Sequence, residues 1–231
     1  MKALVYKELK LAMHPICWVF IFAFPLMILI PSYPIAVGFI YILSCYPILF
    51  LGANKGQQSN DLLFSTLLPV RKKDIVLARI ITVAIMQFIF MAVMSCLYPL
   101  AVAINNSIHI EGEANATTIT PGIGLNGFVS VLAIAVVGYS IADLIFFPIY
   151  YKNGRSIVMS TLFTILGFVI YLGIFTIAIP YIPGCEGYVQ LLCKSGIGYQ
   201  IMLFGIALVI YFIVHFLVYK ISAKRLEKVD F

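Results

Sequence analysis

Six apolar stretches divide the chain, approximately Pro15–Ile30, Pro34–Ala53, Ile75–Ile104, Gly127–Tyr151, Ser156–Ile179 and Gly198–Tyr219. A bilayer hydrocarbon core about 30 Å thick is crossed by about 20 residues of α-helix. Lipid offers no partner to an open backbone group, so such stretches cross it as helices. The pattern predicts an all-α polytopic membrane protein with six transmembrane helices. Composition agrees, with 63% hydrophobic residues and only 10% charged among the 231, against roughly a quarter charged in soluble domains. Nothing between the spans is large enough for a soluble catalytic domain of about 50 to 200 residues. Residues 1–231 therefore read as a single transmembrane domain whose energy source lies elsewhere.

The first span is the weakest, being short and carrying Pro25, which kinks a helix by removing a donor and crowding the preceding turn. "PSYP" at Pro31–Pro34 predicts a tight reversal into the second span. The apolar segment from Ile16 runs on without a small-residue cleavage site, so the N-terminus is expected to be retained. Ahead of it, residues 1–14 set Leu4, Val5, Leu9 and Met13 against Lys2, Lys7, Glu8 and Lys10, the pattern of an amphipathic helix lying at the membrane interface.

Charge placement gives the orientation. Six spans with the N-terminus inside put Lys2, Lys7, Lys10, Lys55, Arg71, Lys72, Lys73, Arg79, Lys152, Arg155, Lys220, Lys224, Arg225 and Lys228 on one side, leaving of the 15 basic residues only Lys194 on the other. Cytoplasmic flanks carry such an excess, so both termini are expected in the cytoplasm, with 54–74 cytoplasmic and 105–126 and 180–197 as outer loops. The net charge of +6 is thereby assigned to topology and not to a nucleic-acid partner. Loop 180–197 mixes Pro, Gly and apolar residues and is expected to form a short re-entrant or surface helix. Cys17, Cys45 and Cys96 sit in apolar runs as small fillers. Cys185 and Cys193 share one polar loop, where a disulfide depends on the compartment it faces.

One cytoplasmic stretch stands apart, "NDLLFSTLLPVRKKDIVLARI" from Asn60 to Ile80. Asn60 or Ser59 is placed to cap a short helix, Asp61 falls in its first turn and Pro69 stops it. Leu63 and Leu67 share one face with Phe64 and Leu68 beside them, giving an apolar ridge of about two turns. Arg71, Lys72 and Lys73 follow, and Asp74 is expected to cap the next membrane helix. So short a helix is marginal alone, since isolated helices need about 12 to 15 residues. It packs either on membrane lipid, with the basic triplet at anionic headgroups, or in a groove of a cytoplasmic protein.

The stretch "LLFSTLLPVRKKDIVLARI", followed by a membrane helix, resembles the segment after the second span of small bacterial ATP-binding-cassette permeases of the type 2 exporter class. "FFPIYYKNGRSIVMS", Phe146–Ser160, is similar to the short cytoplasmic turn those permeases place between their fourth and fifth spans. The resemblance covers the whole six-span layout and the basic N-terminal helix. It implies that Asn60–Asp74 is a coupling helix docking on a separately encoded ATPase through Leu63, Phe64, Leu67, Leu68 and the basic cluster. It makes Tyr151, Lys152, Gly154 and Arg155 a second, smaller contact. It further implies a second permease copy or a related permease as partner, a multi-pass location in a bacterial plasma membrane, and ATP with Mg²⁺ held by the ATPase. The chain has no GxxxxGK[ST] phosphate loop, so no cofactor is expected in it.

Polar residues within the spans are the remaining candidates, since a charge at mid-bilayer costs roughly 2.5 to 3.5 kcal/mol on insertion scales. Asp143 either lines an inward-facing path, contacts a cation, or pairs with Arg79, Arg155 or Gln87. His215 reads as a neutral imidazole hydrogen-bonded across helices. Gly167, Gly173, Gly196, Gly198 and Gly205 permit close helix contact. Enzyme readings find little support: His14, His109 and His215 lie in separate segments with no HExxH, and a Ser140–His215 hydrolase pairing has no motif behind it. The expected function is the permease subunit of an ATP-driven exporter of amphipathic peptides, peptide antibiotics or other hydrophobic compounds. The alternative is a non-transporting immunity or assembly factor that binds a partner through residues 60–74.

Overall fold

The computed structural model describes residues 2–12, 15–29, 70–107, 127–153, 157–174 and 196–228. These form helices and no strand. In chain order they are α1 (Lys2–Lys7), α2 (Pro15–Ala23), α3 (Lys72–Ser107), α4 (Phe128–Asn153), α5 (Ile157–Gly173) and α6 (Ile197–Glu227). A π-helical turn, Glu8–Ala12, continues α1, and 3-10 turns over Phe24–Leu29 continue α2. Among the described residues α3, α4 and α6 are long and apolar enough to cross a membrane, and α5 contributes a shorter apolar helix over Val158–Tyr171. The expected span Pro34–Ala53, residues 54–69 of the coupling segment, and most of the two outer loops lie outside the described residues.

Local chemistry explains the breaks. An α-helix through Pro25 would set its ring against the carbonyl one turn back, and the chain leaves α geometry at Phe24. Phe20 and Phe24 stack with ring centroids 4.8 Å apart, and the 3-10 segment packs on α3. The start of α3 corrects one expectation. Asp74 does not cap this helix from outside but lies in its first turn, where its N–H donates to the Arg71 carbonyl at 2.9 Å. The carboxylate there offsets the unfavourable placement of Lys72 and Lys73 at the positive end of a helix dipole. The other end of α3 also exceeds expectation, running to Ser107 into the predicted outer loop.

Helix α4 is the centre of the bundle. Its most apolar window is 67% buried against 22% for α6, so α4 is enclosed by protein while α6 turns an apolar row including Ile201, Val209, Phe212 and Phe216 outward. Tyr139, Phe146, Phe147 and Tyr151 of α4 are fully buried. Helix α6 packs along α4, α5 covers another side of α4, and α3 closes against α6.

The α4–α5 contact rests on two glycines. A Cβ on Gly138 would stand 3.1 Å from Phe168 Cε2 and 3.4 Å from Tyr171 Cε1, and one on Gly167 would meet Ile145 Cδ1. Gly173, Gly196, Gly198 and Gly205 have nothing within 4 Å among the described residues, so of the glycines singled out in the sequence Gly167 alone makes a close helix approach there. Tyr171 rewards the approach by donating its hydroxyl to the Ile134 carbonyl at 3.1 Å. Gly138→Leu is expected to force α5 outward and cost about 1–3 kcal/mol, as overpacking typically does. Gly198→Leu, in open space, should leave the thermal melting of the purified protein nearly unchanged.

Candidate functional site

Two polar clusters interrupt the apolar packing. The first gathers at the end of the bundle where α3 begins and α4 and α6 finish. The Arg79 guanidinium donates through Nε to Glu8 Oε2 at 3.1 Å and through Nη1 to the Tyr150 hydroxyl at 3.1 Å, with its Cζ 5.9 Å from the Tyr150 ring centre. Lys73 Nζ lies 3.2 Å from Glu227 Oε1, and Arg225 donates to the Pro148 carbonyl. The N-terminal segment, α3, α4 and α6 are thus tied together at the end that carries Arg71, Lys72, Lys73, Lys152, Lys224, Arg225 and Lys228.

This cluster changes the reading of the N-terminal segment. Glu8 belongs on the polar face of a regular amphipathic helix by its spacing, yet it is 5% exposed and bonded to Arg79. The α-helix gives way to a π-helical turn at Glu8, so the 3.6-residue period that assigns faces does not carry through. The side chains of Lys2 and Lys10 remain exposed, and Lys10 donates to Tyr6 one turn away at 2.9 Å. The segment is therefore both an amphipathic border and an anchor.

Four aromatics line the last turns of α4. Phe146 stacks on Tyr150 at 5.7 Å and Phe147 on Tyr151 at 6.4 Å, the i,i+4 neighbours of one helix. Tyr151, expected at a second cytoplasmic contact, is 1% exposed; its ring packs inside the chain and offers no docking surface. Lys152 is exposed, whereas Gly154 and Arg155 lie outside the described residues. In the coupling segment, Arg71 and Lys73 are exposed and Lys72 and Asp74 partly so. Asn60, Asp61, Leu63, Phe64, Leu67, Leu68 and Pro69 lie outside the described residues.

The second cluster is deep in the bundle. Gln87 of α3 donates from Nε2 to Asp143 Oδ2 of α4 at 2.9 Å and accepts the Tyr211 hydroxyl of α6 at Oε1 at 2.6 Å. His215 of α6 brings Nε2 to 2.9 Å from the same Asp143 oxygen and Nδ1 to 2.8 Å from the Tyr211 carbonyl. The Tyr211 and His215 rings stack with centroids 3.8 Å apart. All four side chains are buried, Asp143 completely and His215 at 9% exposure. Asp143 precedes Tyr151 by eight residues, about 12 Å along the helix, which places the cluster within the apolar stretch of α4.

The three intramembrane residues singled out in the sequence, Gln87, Asp143 and His215, thus come together. Of the partners expected for Asp143, Gln87 is present; Arg79 is not, because it sits toward the helix end and is engaged by Glu8 and Tyr150; Arg155 lies outside the described residues. The cross-helix hydrogen bond expected for His215 is made to Asp143. Ser140 donates to the Val136 carbonyl at 2.9 Å in its own helix, and both His215 nitrogens are engaged elsewhere, so the hydrolase pairing is not formed. Among the described residues no group of three His, Cys, Asp or Glu is arranged to hold a metal.

The role of Tyr211 and the inward bonding of Tyr150 and Glu8 go beyond the sequence expectations. Tyr211 has a sequence signal, since it stands one turn before His215 on the same face. Glu8 has a weaker one, an acid within a basic segment. For the deep cluster, Asp143→Asn keeps an oxygen and a nitrogen at hydrogen-bonding positions and is expected to stay within about 1 kcal/mol of the original, while Asp143→Ala strands buried partners and should cost about 1–3 kcal/mol. Melting of the purified variants distinguishes the two.

Among the described residues the arrangement is that of a membrane domain with interhelical polar ties. A search of curated proteins and one of solved structures return no match. A family model described as ABC-2 family transporter protein matches residues 3–225, a span that takes in Glu8, Arg79, the deep cluster and residues 60–74. The chain belongs to the ABC-2 transporter family and is a membrane permease component of an ATP-binding-cassette transporter.

Proposed function

We propose that the protein is the permease subunit of an exporter driven by a separately encoded ATPase that docks on residues 60–74 and binds ATP with Mg²⁺. A second copy of this chain or a related permease completes the translocation unit in a bacterial plasma membrane, with both termini of this chain cytoplasmic. ATP binding biases the permease between inward-closed and outward-open packings through the different affinity of the ATPase for the two. The cargo is amphipathic or hydrophobic, an amphipathic peptide or peptide antibiotic above all, in keeping with spans rich in aliphatic and aromatic side chains.

The observation that supports this reading most is the tying of α3 at its first turns. Residues 60–74 lead directly into α3, which is joined to α6 by Lys73–Glu227 and to the N-terminal segment and α4 by Arg79. A push on the docking segment is thereby delivered to three other elements at once. Tagged permease purified from its native membrane is expected to bring down an ATPase bearing a phosphate loop, with ATP hydrolysis that amphipathic peptides stimulate. A permease that purifies alone, with no associated ATPase, would overturn the exporter reading in favour of an immunity or assembly factor.

A further inference from the structure

We propose that Asp143 and His215 form a proton-binding site at the junction of α3, α4 and α6, in which one proton is held between Asp143 Oδ2 and His215 Nε2. A count of hydrogens requires that proton. His215 Nδ1 faces the Tyr211 carbonyl at 2.8 Å, and a carbonyl only accepts, so Nδ1 carries a hydrogen. A neutral imidazole has one N–H, and that one is committed. Nε2 would then present a bare lone pair to Asp143 Oδ2 at 2.9 Å. Against an ionised carboxylate this contact is repulsive.

Gln87 does not relieve it. Its Oε1 accepts the Tyr211 hydroxyl, which fixes the amide with Nε2 aimed at Asp143. Tyr211 therefore orients both neighbours, the imidazole through its carbonyl and the amide through its hydroxyl. The geometry is satisfied by one added proton, giving either imidazolium beside carboxylate or neutral imidazole beside carboxylic acid. Both forms are neutral overall, which suits a pair buried in hydrocarbon where an uncompensated charge is costly.

Groups of the described residues face the pair from α3, α4 and α6. From α3 the group facing it is the uncharged Gln87, and Arg79, eight residues nearer the helix start, is engaged by Glu8. Helix α4 adds Tyr139 one turn before Asp143, and α6 adds Tyr211; Lys220 of α6 lies over the Phe216 ring at 4.6 Å. Ser160 and Thr164, buried polar side chains of α5, are uncharged, and Phe24–Leu29 contains no ionisable residue. With the proton removed, the His215–Asp143 hydrogen bond is lost while Gln87 still donates to the carboxylate. The site thus makes one α4–α6 hydrogen bond depend on a single proton.

The test uses full-length permease in lipid bilayers carrying His14→Gln and His109→Gln, which leaves His215 as the sole one of the 3 histidines. Ring ¹⁵N magnetic resonance at neutral pH is read beside the infrared carboxyl region, with and without Asp143→Asn. The expected result is one of two matched signatures: N–H at both ring nitrogens, or N–H at one nitrogen together with a protonated-carboxyl band. In either case Asp143→Asn leaves a neutral ring with one N–H and no such band. A neutral ring without the band before substitution, or an imidazolium that persists in Asp143→Asn, overturns the proposal. Should the double background fold poorly, difference spectra between the original chain and His215→Gln give the same readout.

Discussion

Arg79→Ala is expected to destabilise the permease by about 3–5 kcal/mol, the range for removing one partner of a buried ion pair. The Arg79 and Glu8 side chains are 8% and 6% exposed, and Arg79 also satisfies the Tyr150 hydroxyl. Its removal leaves the buried Glu8 carboxylate only the longer contact to Lys7 Nζ at 3.8 Å. The loss should appear as a lowered melting temperature and reduced folded yield. A second substitution separates the buried charge from simple loss of packing. Glu8→Gln with Arg79→Ala removes both charges, so the double variant should recover part of the stability of Arg79→Ala, with a coupling of about 0.5–3 kcal/mol. Arg79→Lys should fall between, because an ammonium keeps the charge but not the forked donors that reach Glu8 and Tyr150 together. If the double variant melts below Arg79→Ala, the pair is not a buried ion pair in the sense argued here.

The reach of the sequence is clearest where lipid sets the rule. Helices α3, α4 and α6 are legible because hydrocarbon demands length and apolarity, which composition displays directly. The first turn of α3 was placed three residues late because Lys72 and Lys73 are polar, whereas helix hydrogen bonding begins before the lipid does. Which way a span faces was not legible. Helix α4 is apolar nearly all round, so no stripe marks its buried side, and Gly138 gives no sign that it meets Phe168 while Gly198 meets nothing among the described residues.

For the polar clusters the same limit applies in a different form. Asp143 is conspicuous as a charge in an apolar run, and Coulomb reasoning turns first to a cation such as Arg79. Depth decides otherwise, since Arg79 lies toward the helix end and the side chains level with Asp143 are Gln87, Tyr211 and His215. Glu8 was assigned by a regular 3.6-residue period that the π-helical turn interrupts. That turn packs on α3, and the local sequence carries no independent mark of it.

Leu63→Asp with Leu67→Asp is expected to abolish co-purification of the ATPase while leaving the permease inserted and its melting unchanged. The two leucines are four residues apart and share a face on a helix. Burying each leucine contributes about 1.5–3 kcal/mol, so losing both weakens docking by about 3–6 kcal/mol, or roughly 100- to 20,000-fold. Carboxylates left in an apolar groove widen the loss. Leu63→Met with Leu67→Met keeps the apolar volume and should retain the complex, which separates chemistry from mere change. The basic rim of Arg71, Lys72 and Lys73 is untouched in both variants, so a complex that survives the aspartates would assign docking to charge and remove the ridge from the dock. Comparison with Arg79→Ala divides the two tasks of this end of the molecule. That variant should lose stability with its docking ridge intact, whereas the aspartate variant should lose the ATPase from a permease that still folds.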